Sequence, residues 1–348
     1  MNKTIPGSTV LVTGAGGSIG SALAKTIVGY APQLLILVDH SEHNLYQIET
    51  DLTLNRDSVP LASVVGDICN EGCVSEILEC YRPNIIYHVA AFKHVPLMER
   101  NPIAAIRNNA LGTNVLARAA QKHRVEMMTM VSTDKAVNPR SIMGASKRLA
   151  ELALVRWTYG ESRMSSIRLG NVLGTEGSVV KVFVRQILAG GPVTVTHAEA
   201  TRYFLTLHEA VDLIVLASEL AGYGKILIPD LGKPVKILDL ACRMIKEAGF
   251  NTETGIPITF IGLRPGDKMT EDFASASESV ESTSDPRLSR VKSTEMHPGR
   301  FDALMADLAI AVDRHDLFAI LETLRCMVPE YEPSEFLLRS LEGVRIEC

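Results

Sequence analysis

Between Ser132 and Lys147 the chain reads Ser-Thr-Asp-Lys-Ala-Val-Asn-Pro-Arg-Ser-Ile-Met-Gly-Ala-Ser-Lys. Thr133, Asp134 and Lys135 set a hydroxyl, a carboxyl and an amine side by side, and Met143 stands four residues before a second amine, Lys147. A carboxyl and an amine can serve as proton donor and acceptor for one substrate if burial raises the pKa of the acid and burial or nearby cations lower that of the lysine. Neighbouring side chains diverge on an extended segment, so the chain must turn there for both to face the same molecule. Met143 has no exchangeable proton, because its sulfur is a thioether. Either the chain has lost a proton-transfer activity, or Asp134 and Lys135 carry it; a surface ion pair is the bland alternative.

A second set of residues has the chemistry of a nucleotide site. Thr13-Gly14-Ala15-Gly16-Gly17-Ser18-Ile19-Gly20 follows an apolar run and opens a helical one. Glycines there permit a tight turn and let a pyrophosphate approach the backbone, while the helix N-terminus offers amide donors and a favourable dipole. Gly14, Gly17, Ser18, Ile19 and Gly20 are the expected contacts. Asp39 ends the second apolar run, where a carboxylate accepts both ribose hydroxyls and repels a 2′-phosphate, which favours NAD over NADP. Asp67 with Ile68 after the third run, and Ala90-Ala91 after the fourth, stand where such a sheet meets adenine and ribose. His88, at a strand end, reads as packed below the cofactor. Gly16-Gly17-Ser18-Ile19-Gly20 also matches a G-x-S-x-G nucleophile elbow, but it follows the first strand and no acid and histidine order lies downstream, which argues against a hydrolase. The nine histidines show no metal-ligand spacing, no metal is expected, and His94 and His123 read as ordinary polar positions.

Groups so far apart in sequence need a scaffold that gathers loops at one edge. Apolar runs rich in branched residues recur at 9–12, 34–38, 62–65, 85–89, 127–132 and 165–169, with helical spacing at 18–30, 44–56, 73–80, 103–123 and 143–159. This alternation predicts an α/β fold, a doubly wound parallel sheet with helices on both faces. Beyond Leu169, glycine and proline punctuation replaces it and regular alternation does not resume. Residues 1–170 read as a nucleotide-binding domain and 171–348 as a mainly substrate-binding part, some segments returning to the first core. The Ser- and Glu-rich 275–284 segment reads as a mobile surface loop, followed by amphipathic helices near 301–312 and 317–327.

The 348 residues suit one or two closely joined domains. With 35 Lys and Arg against 40 Asp and Glu, a nucleic-acid partner is not expected. Cysteines at 69, 73, 80, 242, 326 and 348 lack C-x-x-C spacing, as free thiols in a reducing compartment would. No signal segment is seen, and no run approaches the roughly 18 apolar residues of a membrane span, so a soluble, cytoplasmic protein is expected.

Together the glycine loop, Ala90-Ala91-Phe92-Lys93-His94-Val95-Pro96, Asn109-Ala110-Leu111-Gly112-Thr113 and the Ser132 to Lys147 block resemble the extended short-chain dehydrogenase/reductase superfamily. Within it the chain is most similar to the nucleotide-sugar 4,6-dehydratases of bacterial polysaccharide biosynthesis that act on UDP-N-acetylglucosamine. The resemblance continues through Arg168-Leu169-Gly170-Asn171-Val172, Gly177-Ser178-Val179-Val180, Thr201-Arg202-Tyr203-Phe204 and Gly262-Leu263-Arg264-Pro265-Gly266-Asp267-Lys268. The superfamily usually has Tyr in the Met143 position, but some members of this family have Met. Glu176 and Lys181 replace the family's more frequent Arg and Pro, and Asp267 shortens its usual Glu. Larger members resemble this chain fused behind membrane helices, so it reads as a natural short form or an excised domain.

The resemblance implies oxidation at carbon 4 of the sugar, elimination of water across carbons 5 and 6, and hydride return to carbon 6. It makes Lys135 the base at carbon 5 and Asp134 the acid at carbon 6, with Thr133 or Ser132 bonded to the carbon-4 oxygen. Lys147 would bind the nicotinamide ribose, and Lys93 and Asn109 join the cofactor side. Asn171, Ser178, Val179, Arg202 and Arg264 would hold the UDP-sugar, with Lys93 reaching sugar or phosphate or capping a loop. Which group takes the carbon-4 hydroxyl proton stays open among Asp134, Lys135 and water. A homo-oligomer is expected. The alternatives are a UDP-sugar 4-epimerase, which needs no elimination pair, and a noncatalytic NAD-binding sensor.

Overall fold

The computed structural model describes residues 4–54, 59–220, 222, 224–250, 255–292 and 296–341. The expected end of the second helix at Arg56 and Cys348 lie outside them. The first half alternates as its pattern predicts: β1 (Thr9–Thr13), α1 (Ser18–Val28), β2 (Leu34–Asp39), α2 (Glu42–Leu54), β3 (Leu61–Val65), α3 (Glu71–Tyr81) and β4 (Ile85–His88). Where one helix was expected over 103–123, the chain forms α4 (Val95–Arg100), α5 (Pro102–Ala105), a π-helical turn (Ile106–Gly112) and α6 (Thr113–Lys122). Pro96 and Pro102 each occupy a first helical turn, where the missing N–H costs nothing. β5 (Met127–Thr133), a 3₁₀ turn (Asp134–Ala136), α7 (Ile142–Trp157) and β6 (Arg163–Leu169) follow.

Past residue 170 the elements are shorter: β7 (Asn171–Val172), α8 (Val179–Leu188), β8 (Val193–Val195), β9 (Thr201–Arg202), β10 (Phe204–Leu205), α9 (Leu207–Leu220), β11 (Lys225–Pro229), β12 (Val235–Lys236), α10 (Ile237–Glu247) and β13 (Ile258–Phe260). β14 (Ser279–Ser282), β15 (Leu288–Lys292), α11 (Pro298–Asp313), α12 (Leu317–Met327) and α13 (Glu335–Leu341) complete the described chain.

The main sheet has nine strands in the order β14-β15-β11-β6-β5-β4-β1-β2-β3, with every pairing parallel except those that β15 makes with β11 and β14. Its order reverses between β1 and β4, the crevice where open α/β sheets bind ligands outside the strands' carboxyl ends. Apolar clusters cover both faces, one packing α1, α2 and α9 on the sheet and the other α3 and α6. A third joins α7 to α11 and α12, and a fourth, around Phe183, Val193, Ile237 and Ile245, packs α8 and α10 against the small sheet of β8 and β13.

Two expectations are corrected. Alternation does resume after Leu169: α9 carries the chain to β11, which pairs parallel to β6. The 275–284 segment is not a free surface loop, because Ser279–Ser282 pairs antiparallel with β15. Its polar composition reflects an edge strand, and Glu278 is drawn inside by two arginines.

Candidate active site

The expected site residues lie where successive parallel strands end: Gly14 after β1, Asp39 closing β2, Asp67 after β3, Ala90 after β4, Asp134 after β5 and Asn171 after β6. In the glycine loop, Gly14 has φ +67°, and a Cβ there would sit 2.6 Å from the Ala90 nitrogen. A Cβ on Gly20 would lie 2.0 Å from the Gly14 carbonyl, so only glycine lets α1 start this close to β1. Asp39 is buried and braces the loop: Oδ2 accepts from the Gly16 N–H (3.0 Å) and Oδ1 from that of Ser41 (2.9 Å). Each oxygen retains acceptor capacity for a ribose hydroxyl. Asp67 Oδ1 accepts from the Cys69 N–H (2.8 Å), and Ile68 is buried beside it.

Beneath the loop, His88 is fully buried between Thr13 Oγ1 (2.7 Å) and Thr113 Oγ1 (2.8 Å). Thr113 donates to the Asn109 carbonyl, so its oxygen accepts from Nε2–H and Nδ1 accepts from Thr13. Both nitrogens are satisfied in the neutral ring, and burial lowers its pKa to about 3. Asn109, inside the π turn, accepts from the Phe92 N–H and donates to the Phe92 carbonyl and Ser146 Oγ. It thereby fastens the loop after β4, with Ala90 and Ala91, to α7. Its amide is used within the protein.

Asp134 and Lys135 sit on the 3₁₀ turn, which supplies the bend their adjacency requires. Thr133 caps it, accepting from the Lys135 N–H (3.3 Å) and donating to Asp134 Oδ1 (2.9 Å). Lys135 Nζ donates to the same Oδ1 (2.9 Å) and to Asn171 Oδ1 (3.2 Å). Asp134 is fully buried, and its Oδ2 has no hydrogen-bond partner among the described residues. A buried acceptor left open in this way is costly unless a ligand uses it.

The expected lowering of the Lys135 pKa is overturned for the free site. Burial pulls it down, but Asp134 and Glu271 together outweigh burial and the opposing Arg202, so it lies above the ordinary lysine value. The chain pattern did not single out Glu271. Its side chain is 2 % exposed, 3.6 Å from Lys135 Nζ and 3.0 Å from Lys268 Nζ. Its only sequence signal is its place three residues beyond Lys268.

Met143 is 3 % exposed within the cluster formed by α4, the π turn, α7, α11 and α12. Lys147, one helical turn on, is 4 % exposed, and burial lowers its pKa to about 8 against the opposing pull of Glu151. Glu151 anchors a buried charge network. It accepts from Ser132 Oγ (2.7 Å), from Arg168 Nε (3.0 Å) and Nη2 (2.8 Å), and from Arg148 Nη1 (3.0 Å). Arg168 also donates to both carboxylate oxygens of Glu278, each at 2.8 Å. Ser132 is thus held by Glu151, leaving Thr133 as the hydroxyl beside the acid.

Among the residues expected to hold a sugar nucleotide, Lys93 Nζ donates to the Glu176 carbonyl (2.7 Å) and Thr175 Oγ1 (3.3 Å), as a loop-fastening residue does. Ser18 Oγ accepts from the Glu176 N–H (3.1 Å), tying α1 to the same loop. Glu176 and Lys181, the residues that depart from the family pattern, pair with each other. Ser178 Oγ is buried without a hydrogen-bond partner among the described residues, just before Val179, the first residue of α8. Arg202 gives three guanidinium hydrogen bonds to the carbonyls of Thr201, Met269 and Lys268, so much of its fork is used by backbone. Arg264 is exposed and paired with Asp267 (2.8 Å). His94 lies closer to this region than an ordinary polar position would: burial, Lys93 and Arg264 lower its pKa, and a Cβ on Gly177 would strike its ring.

This doubly wound sheet, with its glycine loop at the switch point, is the fold of the extended short-chain dehydrogenase/reductases. The chain belongs to the polysaccharide biosynthesis protein family, whose pattern it matches over residues 10–293. It is 44 % identical over 281 residues to the capsular polysaccharide biosynthesis protein CapD of Staphylococcus aureus, covering 80 % of this chain and 47 % of CapD. It therefore spans about half the length of that relative. Among solved structures, Pen from Bacillus thuringiensis superposes with a TM-score of 0.75 at 28 % identity, over 85 % of this chain and 90 % of Pen. DesIV of Streptomyces venezuelae, a dTDP-glucose 4,6-dehydratase with NAD bound, shares the fold at a TM-score of 0.66 and 21 % identity, over 76 % and 87 %.

Proposed function

We propose that this chain is an NAD-dependent nucleotide-sugar 4,6-dehydratase that converts UDP-N-acetylglucosamine to a UDP-4-keto-6-deoxy sugar for surface polysaccharide synthesis. The observation that carries this reading is the buried Asp134 and Lys135 pair on the turn after β5, joined at 2.9 Å with Asp134 Oδ2 open. A 4-epimerase needs no such elimination pair. CapD, a capsular polysaccharide biosynthesis protein, supports surface polysaccharide synthesis as the setting.

The glycine loop, the braced Asp39 and the partly exposed Ala90 and Ala91 fit a dinucleotide. Gly14, Gly17, Ser18, Ile19 and Gly20 would take its pyrophosphate, Asp39 its ribose, Asp67 and Ile68 its adenine end, and Lys147 the nicotinamide ribose. When bound, NAD supplies a hydride acceptor and donor at the sugar. We assign residues 1–170 mainly to that role and 171–348 mainly to the UDP-sugar, with Asn171, Ser178, Val179, Arg202 and Arg264 on the substrate side.

Oxidation at carbon 4 releases the hydroxyl proton, and the hydrogen bond from Thr133 to Asp134 supports Asp134 as its acceptor, directly or through that hydroxyl. The protonated Asp134 then gives a proton to the departing carbon-6 hydroxyl, while neutral Lys135 removes the proton from carbon 5 and later returns one there. Proton transfer of this kind is worth roughly 10² to 10⁴-fold per group. The test is incubation with NAD and UDP-N-acetylglucosamine in heavy water, read by mass spectrometry and NMR. Loss of one water from the sugar, with deuterium at carbon 5, is expected. A product of unchanged mass would make the chain an epimerase, and untouched sugar beside bound NAD would make it a sensor.

A further inference from the structure

Glu271 has no role in these steps, yet it is buried against them. Oε1 lies 3.6 Å from Lys135 Nζ and 3.9 Å from Arg202 Nε, and Oε2 lies 3.0 Å from Lys268 Nζ. Lys268 also donates to the Val137 carbonyl (2.7 Å), and Arg202 to the carbonyls of Lys268 and Met269, so the 268–271 segment is locked onto the turn carrying Asp134 and Lys135. The charged groups facing Lys135 are Asp134 from its own turn, Glu271 from this segment and Arg202 from β9, with the neutral Asn171 amide from β7. Asp134 and Glu271 therefore approach the same amine from different parts of the chain.

Resting on the dehydratase reading, we propose that Glu271 is the positioning residue for Lys135: it brackets the amine together with Asp134, aims it into the site and holds a proton on it in the free enzyme. Lys135 must release that proton before it can act as a base, so turnover rises with pH as the lysine titrates. A carboxylate that did no more than neutralise Arg202 and Lys268 would leave this titration where it is.

The test has two readouts. In protein labelled at lysine, the Lys135 signal is identified by its absence in Lys135→Met and titrated by NMR without substrate. Glu271→Gln should move its titration down by roughly one to three pH units, the span expected for a charge at this distance between watery and protein-like dielectrics. The pH profile of kcat should move the same way, and Glu271→Asp, which keeps the charge with a shorter reach, should lie between the two. If Glu271→Gln does not fold, Glu271→Asp alone must still show a downward shift. An unchanged Lys135 titration, or a uniform fall in rate with an unmoved profile, overturns the proposal. If the wild type fails to dehydrate UDP-N-acetylglucosamine, the enzymatic reading fails, while the NMR titration still decides what Glu271 does to Lys135.

Discussion

Replacing Glu151 by Gln removes one negative charge from the buried network while keeping its shape. Burial alone would raise the Glu151 pKa, but Arg168, then Arg148 and Ser132, bring it from 4.5 down to about 2. A depression of that size corresponds to on the order of 3 kcal/mol of stability at neutral pH. Breaking one partner of a buried ion pair typically costs a comparable ~3–5 kcal/mol. Arg168 keeps Glu278, so the lower figure applies. For a chain of 348 residues the unfolding entropy is roughly 0.7 kcal/mol/K, so Tm should fall by about 4 °C. Because the folded pKa is depressed, this stabilisation is fully present above pH 4.5 and is lost as pH falls toward 2. The Tm difference between wild type and Glu151→Gln should thus be level from neutrality down to about pH 5 and shrink below that. Calorimetry of both proteins between pH 7 and pH 3 measures it. A Tm change under about 1 °C, or a difference that stays constant down to pH 3, would refute the assignment of this energy to the Glu151 charge.

Gly20→Ala should abolish dinucleotide binding, since its Cβ would meet the Gly14 carbonyl at 2.0 Å; fluorescence titration with NADH reads the loss. Asp39→Asn removes the carboxylate proposed to accept the ribose hydroxyls and should weaken NAD about tenfold or more relative to NADP, measured in the same titration. Glu99 is buried, accepts from the Ile142 N–H and from Ser334, and has its pKa raised by burial. Its raised folded pKa means that stability is greatest at low pH and is lost as pH climbs past 4.5, so Glu99→Gln should raise Tm more at pH 8 than at pH 4.

Much of this protein is local and therefore legible in the chain. The branched runs fix the first six strands, because short length, β-branched composition and flanking turn residues distinguish a buried strand from a helix where periodicity cannot. The glycine loop and Asp39 could be located because a nucleotide site needs them at set places along one βαβ unit. The Asp134 and Lys135 pair was visible as chemistry, and its neighbours Thr133 and Asn171 follow strands that the pattern had already placed. The edge strand at Ser279–Ser282 was hidden, since its pairing is satisfied by β15 and not by its own residues. So was the network that holds Ser132, in which Arg168 and Glu278 meet across 110 residues. The raised Lys135 pKa rests on Asp134 and then on Glu271, the latter a residue with no local mark of function. Residue types and their order determined which acids, amines and glycines this protein has and which strand ends carry them. Tertiary structure alone decided their protonation and their freedom to act, because desolvation and Coulomb forces depend on distance in space and not on distance along the chain.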